Sequence, residues 1–505
     1  MFLMLTVQSA FFKAYGSTGW EAADWLLRCD DGGYLFGGWT ESYGAGLDDI
    51  LLCRISDMGE VVWAKTYGGP DYDWAQEAIS VKDGSFILVG GASGYGSGWS
   101  DMLAMRVDSL GNILWARIFS GPYPERLIAI DETPDSCYIM AGSSYDTAIG
   151  RYDPVLLKID RDGNLLWSRM YWLSNDDDYP RDIISTPDGG CVVAGYSTDQ
   201  AHNSDPFIVR FDSSGVPLWA RMFYYQEENF WEVGLSVCQT SPNTYTMVGA
   251  EDGFNYGDNA DIFIVNVSTD GSLLSARAVG GNRDDGAYRI IRTSDSGAVI
   301  VGVTDSYGPL HYYNNVFLMK LDTAGGIQWA LAYGDDHEEI GKDVVENLDG
   351  VYAISGYTDS FGSGDYEALV LALEYPGGTY PCIEAFTPEE QSVNPVIFSP
   401  VFNLLSMAFD TSTPPLTVTQ ISPLVTDACP AAVGEEMAEA GGPFCAPLAG
   451  GVLFVSSEPL PLVMYSVDGR LILSREIDAG KTQIPLQTGI YFWKAGEYRG
   501  KALVR

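Results

Sequence analysis

The chain has 505 residues, with 68 acidic against 28 basic side chains, a formal net charge of −40, and 46% hydrophobic residues including 13% aromatics. That apolar fraction fills a sizeable core and excludes global disorder, while so negative a surface repels phosphate backbones and anionic lipids and excludes nucleic-acid and membrane-surface binding. No apolar run approaches the roughly 20 residues of a membrane-crossing helix, so a soluble mature protein is expected.

Residues 1–10, "MFLMLTVQSA", combine a short apolar run with a small-residue end but lack a basic start. They read either as a truncated signal peptide or as the beginning of a strand. The following "SAFFKAYGS" has the outline of "VVWAKTYGG" further on, and that outline recurs along the chain. Aligning on it gives Trp63, Trp115, Trp167, Trp219, Ser275, Trp329 and Cys382, with Phe11 as a degenerate copy in front; the spacings are 52, 52, 52, 56, 54 and 53 residues. A glycine closes an apolar run in every copy, at Gly37, Gly90, Gly142, Gly195, Gly249, Gly302 and Gly356. A turn of the "DGG" or "PDS" type accompanies it at Asp31, Asp83, Asp135, Asp188, Asn243, Asp295 and Asp349.

Each copy reads as four short strands. In the second, "AQEAISV", "SFILVGG", "DMLAMRV" and "ILWARIF" are separated by "KDG", a Gly/Ser-rich loop and "DSLGN", and such Asp-Gly and Gly-Asn dipeptides supply the positive φ of tight hairpins. The third strands ("ILLCRI", "VLLKI", "FIVRF", "VFLMKL") are apolar on both faces and must be covered on both. Seven four-stranded sheets covering one another make a seven-bladed β-propeller over residues 11–382, with low helix content. Eight candidates compete for seven fourth-strand places, so residues 8–16 are expected to close blade seven, with "TYPCIEAF" as the alternative.

Residues 383–446 lack the repeat and are rich in Pro, Thr and Ala, an extended linker without a core of its own. Residues 447–505 recover strand patterning and read as a small C-terminal β-sandwich. The eight cysteines include no CxxC pair, which speaks against zinc. Cys137 and Cys191 sit in apolar runs as small hydrophobes; Cys382, Cys429 and Cys445 are candidates for a disulfide whose pairing stays open.

The repeat, with its "YGG" start, "DGG" turn and "LD..GN..W" finish, resembles the delta-60-type propeller repeats of secreted bacterial proteins, akin to kelch and PQQ-like propellers. That resemblance implies no single activity. The tail, "VMYSVDGRLI" followed by "TGIYFWKAGEYRGKALVR", resembles the C-terminal sorting domain of the type IX (Por) secretion system, without the usual preceding "PNP". It implies export to the outside or the surface of a bacterial cell.

The search for chemistry returns little. His202, His311 and His337 have no ligand spacing, GxSxG and HExxH are absent, and the glycine-rich "GYGSG" at 94–98 has no P-loop lysine. Asp49, Asp101, Asp153, Asp205, Asp261, Asn315 and Glu367 precede the third strands. A third strand lies about 10 Å outside the innermost one, so neighbouring copies are too far apart to share a metal, and local loop N–H groups are their expected partners. The runs "NDDDY" (175–179) and "GDDHEE" (334–339) lack EF-hand spacing. No catalytic residue and no cofactor is therefore assigned, adventitious calcium aside. The expectation is a secreted, non-enzymatic structural or adhesive protein that self-assembles into filaments, tubes or a layer through its termini, linker and propeller faces. The alternative is a propeller that binds a glycan, peptide or surface protein through aromatic-rich loops such as "NFWEV" and "LHYYNN", and behind it stands a polysaccharide-active enzyme.

Overall fold

Blade 1 is the antiparallel sheet of Glu21–Arg28, Tyr34–Thr40, Asp49–Ile55 and Val61–Gly68, and six further sheets repeat it along the chain. The structure is a computed structural model. It describes residues 11–374 apart from 96–98, 147–149, 175–176, 199–203, 225–231, 252–259, 309–312, 336, 348–349 and 362–365, and beyond 382 the backbone of the strands. Within the described residues the protein is an all-β seven-bladed propeller without helices. Third strands such as Asp49–Ile55 and Asn315–Leu321 are buried along their whole length, because neighbouring blades cover both faces.

Each inner strand carries a β-bulge at one place, between Ala23/Trp25, Ala75/Glu77, Leu127/Ala129, Pro180/Asp182, Gly234/Ser236, Ala287/Arg289 and Gly341/Asp343. The bulge drives a carbonyl into the second strand, and the glycine that closes each apolar run makes room for it. A Cβ on Gly90 would lie 2.0 Å from the Trp74 carbonyl oxygen, and one on Gly356 only 1.7 Å from that of Ile340. In blade 1 the equivalent residue is Gly38, against the Ala22 carbonyl, not Gly37. The Gly37-Gly38 doublet leaves the alignment ambiguous by one residue, and only the bulge resolves it.

Five of the turn aspartates are one half of a buried-base ion pair, and Asp349 lies outside the described residues. Arg106 reaches Asp83 at 2.6 Å, Lys158 reaches Asp135 at 2.8 Å and Lys320 reaches Asp295 at 2.9 Å, with Arg54–Asp31 and Arg210–Asp188 alike. Blade 5 has lost both charges together: Asn243 stands at the turn and Asn266 on the third strand, where Asn266 accepts from the Thr246 hydroxyl at 2.6 Å.

The tryptophan outline clasps blades 1 to 4 to the blades that follow them, whereas blade 5, with Ser275 in its place, lays no ring on Gly325. Trp63 Nε1 donates to the Ser109 carbonyl at 3.2 Å, Lys65 to Leu110 at 2.7 Å and the Tyr67 hydroxyl to Gly111 at 2.6 Å, all in blade 2's last turn. The Trp63 ring lies against Gly111, whose φ of +72° puts it in the left-handed region that glycine tolerates. Trp115 on Gly163 and Trp219 on Gly271 repeat the contact.

Phe11–Gly16 completes the ring. It pairs with Glu367–Glu374 from Phe11↔Ala372 to Tyr15↔Ala368, as fourth strand of blade 7. Phe11 and Lys13 flank Gly59 of blade 1, and the Tyr15 hydroxyl donates to the Gly59 carbonyl at 2.8 Å. The degenerate copy Phe11-x-Lys13-x-Tyr15 is thus a working clasp.

The stretch read as a linker adds a fifth strand to every blade, against the chain order. Ile383–Phe386 pairs with blade 6, Glu389–Ser392 with blade 5, Val396–Phe398 with blade 4 and Asn403–Ser406 with blade 3. Asp410–Ser412 follows on blade 2, Thr417–Ile421 on blade 1 and Leu424–Asp427 on the closing strand of blade 7. The described half of "TYPCIEAF", Ile383–Phe386, therefore serves blade 6, not the closure. Pro388, Pro395, Pro400, Pro414, Pro415 and Pro423 fall between these short strands, as proline's missing N–H requires.

The chain divides into two compact units, Met1–Ala428 and Cys429–Arg505. The second contains a three-stranded sheet that includes Gly451–Ser456 and a four-stranded sheet that includes Leu460–Ser466. Residues 1–10, Cys382 and Cys429, and the side chain of Cys445, lie outside the described residues. Cys191 is fully buried, whereas Cys137 is only half-buried beside its turn.

Deleting residues 1–16 leaves one edge of the Glu367–Glu374 strand unpaired and removes the clasp on Gly59. The truncated chain is expected to melt lower and aggregate in thermal-shift and light-scattering measurements; unchanged melting would contradict this account of closure.

Candidate functional site

The inner strands supply a hub. Arg289 of blade 6 reaches Glu77 of blade 2 at 2.7 Å, Asp182 of blade 4 at 3.1 Å and Asp343 of blade 7 at 3.5 Å. Each carboxylate also accepts a backbone N–H from the following blade: Glu77 from Ile130, Asp182 from Val237 and Asp343 from Leu26, at 2.8–2.9 Å. The Ser236 hydroxyl of blade 5 donates to Asp182 at 2.6 Å and accepts from Ile290 N–H at 3.3 Å, so all seven blades meet here. Burial raises the Glu77 and Asp343 carboxyls against the pull of Arg289, whose own proton is held far more tightly than usual by the three acids. A guanidinium so occupied is structural. None of these residues stood out in the sequence, yet all lie thirteen residues before the closing glycines (Gly90, Gly195, Gly249, Gly302, Gly356), and comparing repeats at that offset would have found them.

The row of acids at the third strands is placed differently from a ring that collects cations. Asp49 Oδ2 accepts N–H bonds from Ala45 and Gly46 at 2.9 and 3.0 Å, the local loop role expected. Its second neighbour is the first acid of the next inner strand: a Cβ on Gly68 would lie 1.9 Å from Asp49 Oδ1 and 2.9 Å from Asp73 Oδ2. Gly280 lies likewise between Asp261 and Asp285, Gly334 between Asn315 and Glu339, and Gly16 between Glu367 and Glu21. The glycine of the "YGG" start is the space these pairs need. Asp101, Asp153 and Asp205 hold the same strand position in blades 2 to 4. Among the described residues no three histidine, cysteine or acidic side chains are grouped to hold a metal. Burial raises Asp73, Glu125, Asp285 and Glu339 to about 7.

Where repeats diverge, side chains converge on the face that carries the outer-to-inner and second-to-third connections. Between blades 1 and 2 a cleft of about 330 Å³ is lined by Asp24, Trp39, Asp48, Tyr72, Trp74 and Gln76. The Trp74 ring lies flat over Gly91, where a Cβ would come within 2.2 Å of it. Tyr72, Trp20 and Trp99, in the connections of the same face, are 49%, 45% and 89% exposed. Burial raises Asp24 to about 6, partly offset by Lys342.

A second cleft of about 380 Å³ spans blades 5 to 7, with Ala250, Gly286 and Val303 as small wall residues and Asp284, Asp305 and Glu338 among its acids. Lys342 lies 3.9 Å from the Tyr288 ring centre and 5.6 Å from that of Tyr357, and Tyr357 packs edge-on against Tyr366 of the second cleft. On the opposite side Tyr145, Tyr152, Tyr179 and Tyr196 form a ladder of rings, ending where Arg181 donates to the Tyr196 hydroxyl at 2.8 Å.

The sequence candidates are scattered. From "LHYYNN", Tyr313 and Asn314 line the second cleft. His337 stacks on Tyr313 and donates its N–H to Ser360. "GDDHEE" divides between the cleft, with Glu338, and a blade junction, with Glu339; "NDDDY" supplies Asp178, buried at the next junction, and Tyr179 of the ladder. His202, His311, most of "NFWEV" and part of "GYGSG" lie outside the described residues.

No family model and no curated protein matches the chain. Among solved structures it is similar to an α-L-arabinanase of Penicillium chrysogenum complexed with arabinobiose, at 10% identity over 72% of this chain and 98% of that one, with a TM-score of 0.40. It is similar to an α-L-arabinofuranosidase of Fusarium graminearum at 10% identity, 73% and 98% coverage and a TM-score of 0.39. PorZ, a surface component of the type-IX secretion system of Porphyromonas gingivalis, matches at 9% identity over 97% of this chain and 100% of that one, with a TM-score of 0.17. These are likenesses of fold. They correct the expectation of a non-enzymatic protein: glycoside hydrolases are among the similar propellers, so the fold is compatible with enzymatic function. GxSxG and HExxH belong to other chemistries, and paired carboxylates that cleave glycosides carry no such signpost.

Replacing Arg289 with Met leaves three buried carboxylates without their cation and is expected to cost about 3–5 kcal/mol, read as a lowered denaturation midpoint; an unchanged midpoint would deny the hub its role. A second outcome concerns pH. Carboxyls raised in the fold bind protons that the unfolded chain releases, so their contribution is full below about pH 4 and is lost as pH rises through about 7. Asp135 and Asp295, held at about 2, act oppositely: their contribution is full above about pH 4 and is lost only as pH falls through about 2. Melting is therefore expected to be higher near pH 5 than at pH 8, with a smaller difference in Asp73→Asn. A melting temperature that rises from pH 5 to pH 8 would contradict the assignment.

Proposed function

We propose that this is an exported propeller that binds neutral glycans on the face described above, an adhesive or glycan-processing role at the cell surface. The supporting observation is the cleft between blades 1 and 2, where Trp39, Tyr72 and Trp74 surround Asp24, Asp48 and Gln76. Aromatic faces suit the C–H faces of sugar rings, and carboxylates and an amide suit their hydroxyls, the mixture that small-ligand clefts use for affinity and orientation. The net charge of −40 and the two cleft carboxylates disfavour polyanionic glycans, leaving uncharged ones. Asp24, raised to about 6, is the cleft group best placed to exchange a proton near neutral pH.

Export rests on the C-terminal resemblance to a type IX sorting domain. Self-assembly through the linker receives no support, because residues 383–427 supply strands to the chain's own blades.

A glycan array probed with the full chain is expected to select neutral oligosaccharides. Trp74→Ala should weaken binding by about tenfold or more with unchanged melting. Release of new reducing ends from a bound polysaccharide would assign the cleft to catalysis. Absence of binding to every neutral glycan, or binding untouched by Trp74→Ala, would overturn the reading.

A further inference from the structure

The cleft between blades 5 and 7 differs chemically from the aromatic one. Five acids line it, Asp284, Asp285, Asp305, Glu338 and Asp359. Donors already fix most of them: Asp284 accepts from Ala260 N–H at 2.9 Å and Asp359 from Glu338 N–H at 2.6 Å. Glu338 accepts from the Asn314 amide and the Tyr366 hydroxyl, both at 2.6 Å. These donors orient the carboxylates without neutralising them, and Arg283 approaches Asp305 at 3.6 Å. Asp285 is 1% exposed, and its Oδ1 accepts no hydrogen bond within ordinary distance although the residue lines the cavity.

The remaining wall decides what kind of cation fits. Ala250, Ala260, Gly286 and Val303 are apolar or small, and the Tyr313 and Tyr366 rings complete the enclosure. A hard metal ion needs six or more oxygens around it, and the described acids are not so grouped. An ammonium or guanidinium on an alkyl stem uses both halves: its charge meets the carboxylates and ring faces, and its methylenes cover the apolar wall.

We infer that the cleft lined by Asp284, Asp285, Glu338 and Asp359 is a binding site for a basic side chain, lysine or arginine, of a peptide or protein partner. It is separate from the glycan reading and stands without it. The net charge of −40 speeds the approach of such a partner, and the interaction weakens as salt is added.

The test is calorimetric titration of the full chain at low salt with a capped Gly-Gly-Lys-Gly-Gly peptide, its Nε-acetylated counterpart, spermidine and calcium chloride. The lysine peptide is expected to bind and the acetylated one to fail. Affinity should fall about tenfold or more in Glu338→Gln and in Asp359→Asn, each checked for unchanged melting, and stay unchanged in Trp74→Ala. Equal binding of the acetylated peptide, or unaltered affinity in both folded variants, would overturn the inference. So would binding of calcium or spermidine without binding of the peptide. Loss of glycan binding in Trp74→Ala with the lysine peptide retained separates this site from the other.

Discussion

The aromatic ring seated on a left-handed glycine of the next blade is the contact on which the ring of blades depends. A propeller blade is apolar on both faces and cannot stand alone, so what fixes the angle between neighbours fixes the whole. Trp63 on Gly111 and Trp219 on Gly271 bind ring, indole N–H and backbone carbonyl in one contact, and no residue with a side chain fits the turn without strain. At the seam the same contact is made by Phe11, Lys13 and Tyr15 on Gly59, from a strand that is itself paired with Glu367–Glu374 of blade 7. The Arg289 hub then ties the blades at the axis, and the fifth strands tie them at the rim.

This division of labour explains what could be read from the sequence. The closing glycine recurs in every blade and the clasp in most because they answer shared steric demands, while the "YGG" glycine returns at Gly16, Gly68, Gly280 and Gly334 and gives way to Ser120, Trp172 and Tyr224 elsewhere; blade number and strand order were legible from these recurrences. Gly37 was mistaken for Gly38 because a doublet of glycines satisfies the demand on paper in either register. The fifth strands were hidden for another reason. They pair through backbone at the rim, where almost any sequence with proline in the gaps will serve, so residues 383–427 carry composition but no pattern.

The site was the least legible part. Arg289 meets Glu77, Asp182 and Asp343 only because the ring closes, and their shared offset from the closing glycines marks the position without saying that these four side chains meet. The clefts are made partly of missing side chains: Gly91 lets Trp74 lie flat, and Gly286 and Ala250 open the second cavity. A sequence search for chemistry looks for functional groups and passes over residues that contribute room. The one signal available was divergence at fixed offsets in otherwise regular repeats, since positions free of the shared steric demands are those that can be adapted to a ligand.

The central claim is that the divergent positions of seven equivalent blades make one ligand-binding face. A crystal structure of the full chain grown with a neutral oligosaccharide tests it most directly. The account predicts sugar rings stacked on Trp39 and Trp74 with hydroxyls on Asp48 and Gln76. Sugar bound on the opposite face, or along the rim of fifth strands, would contradict it.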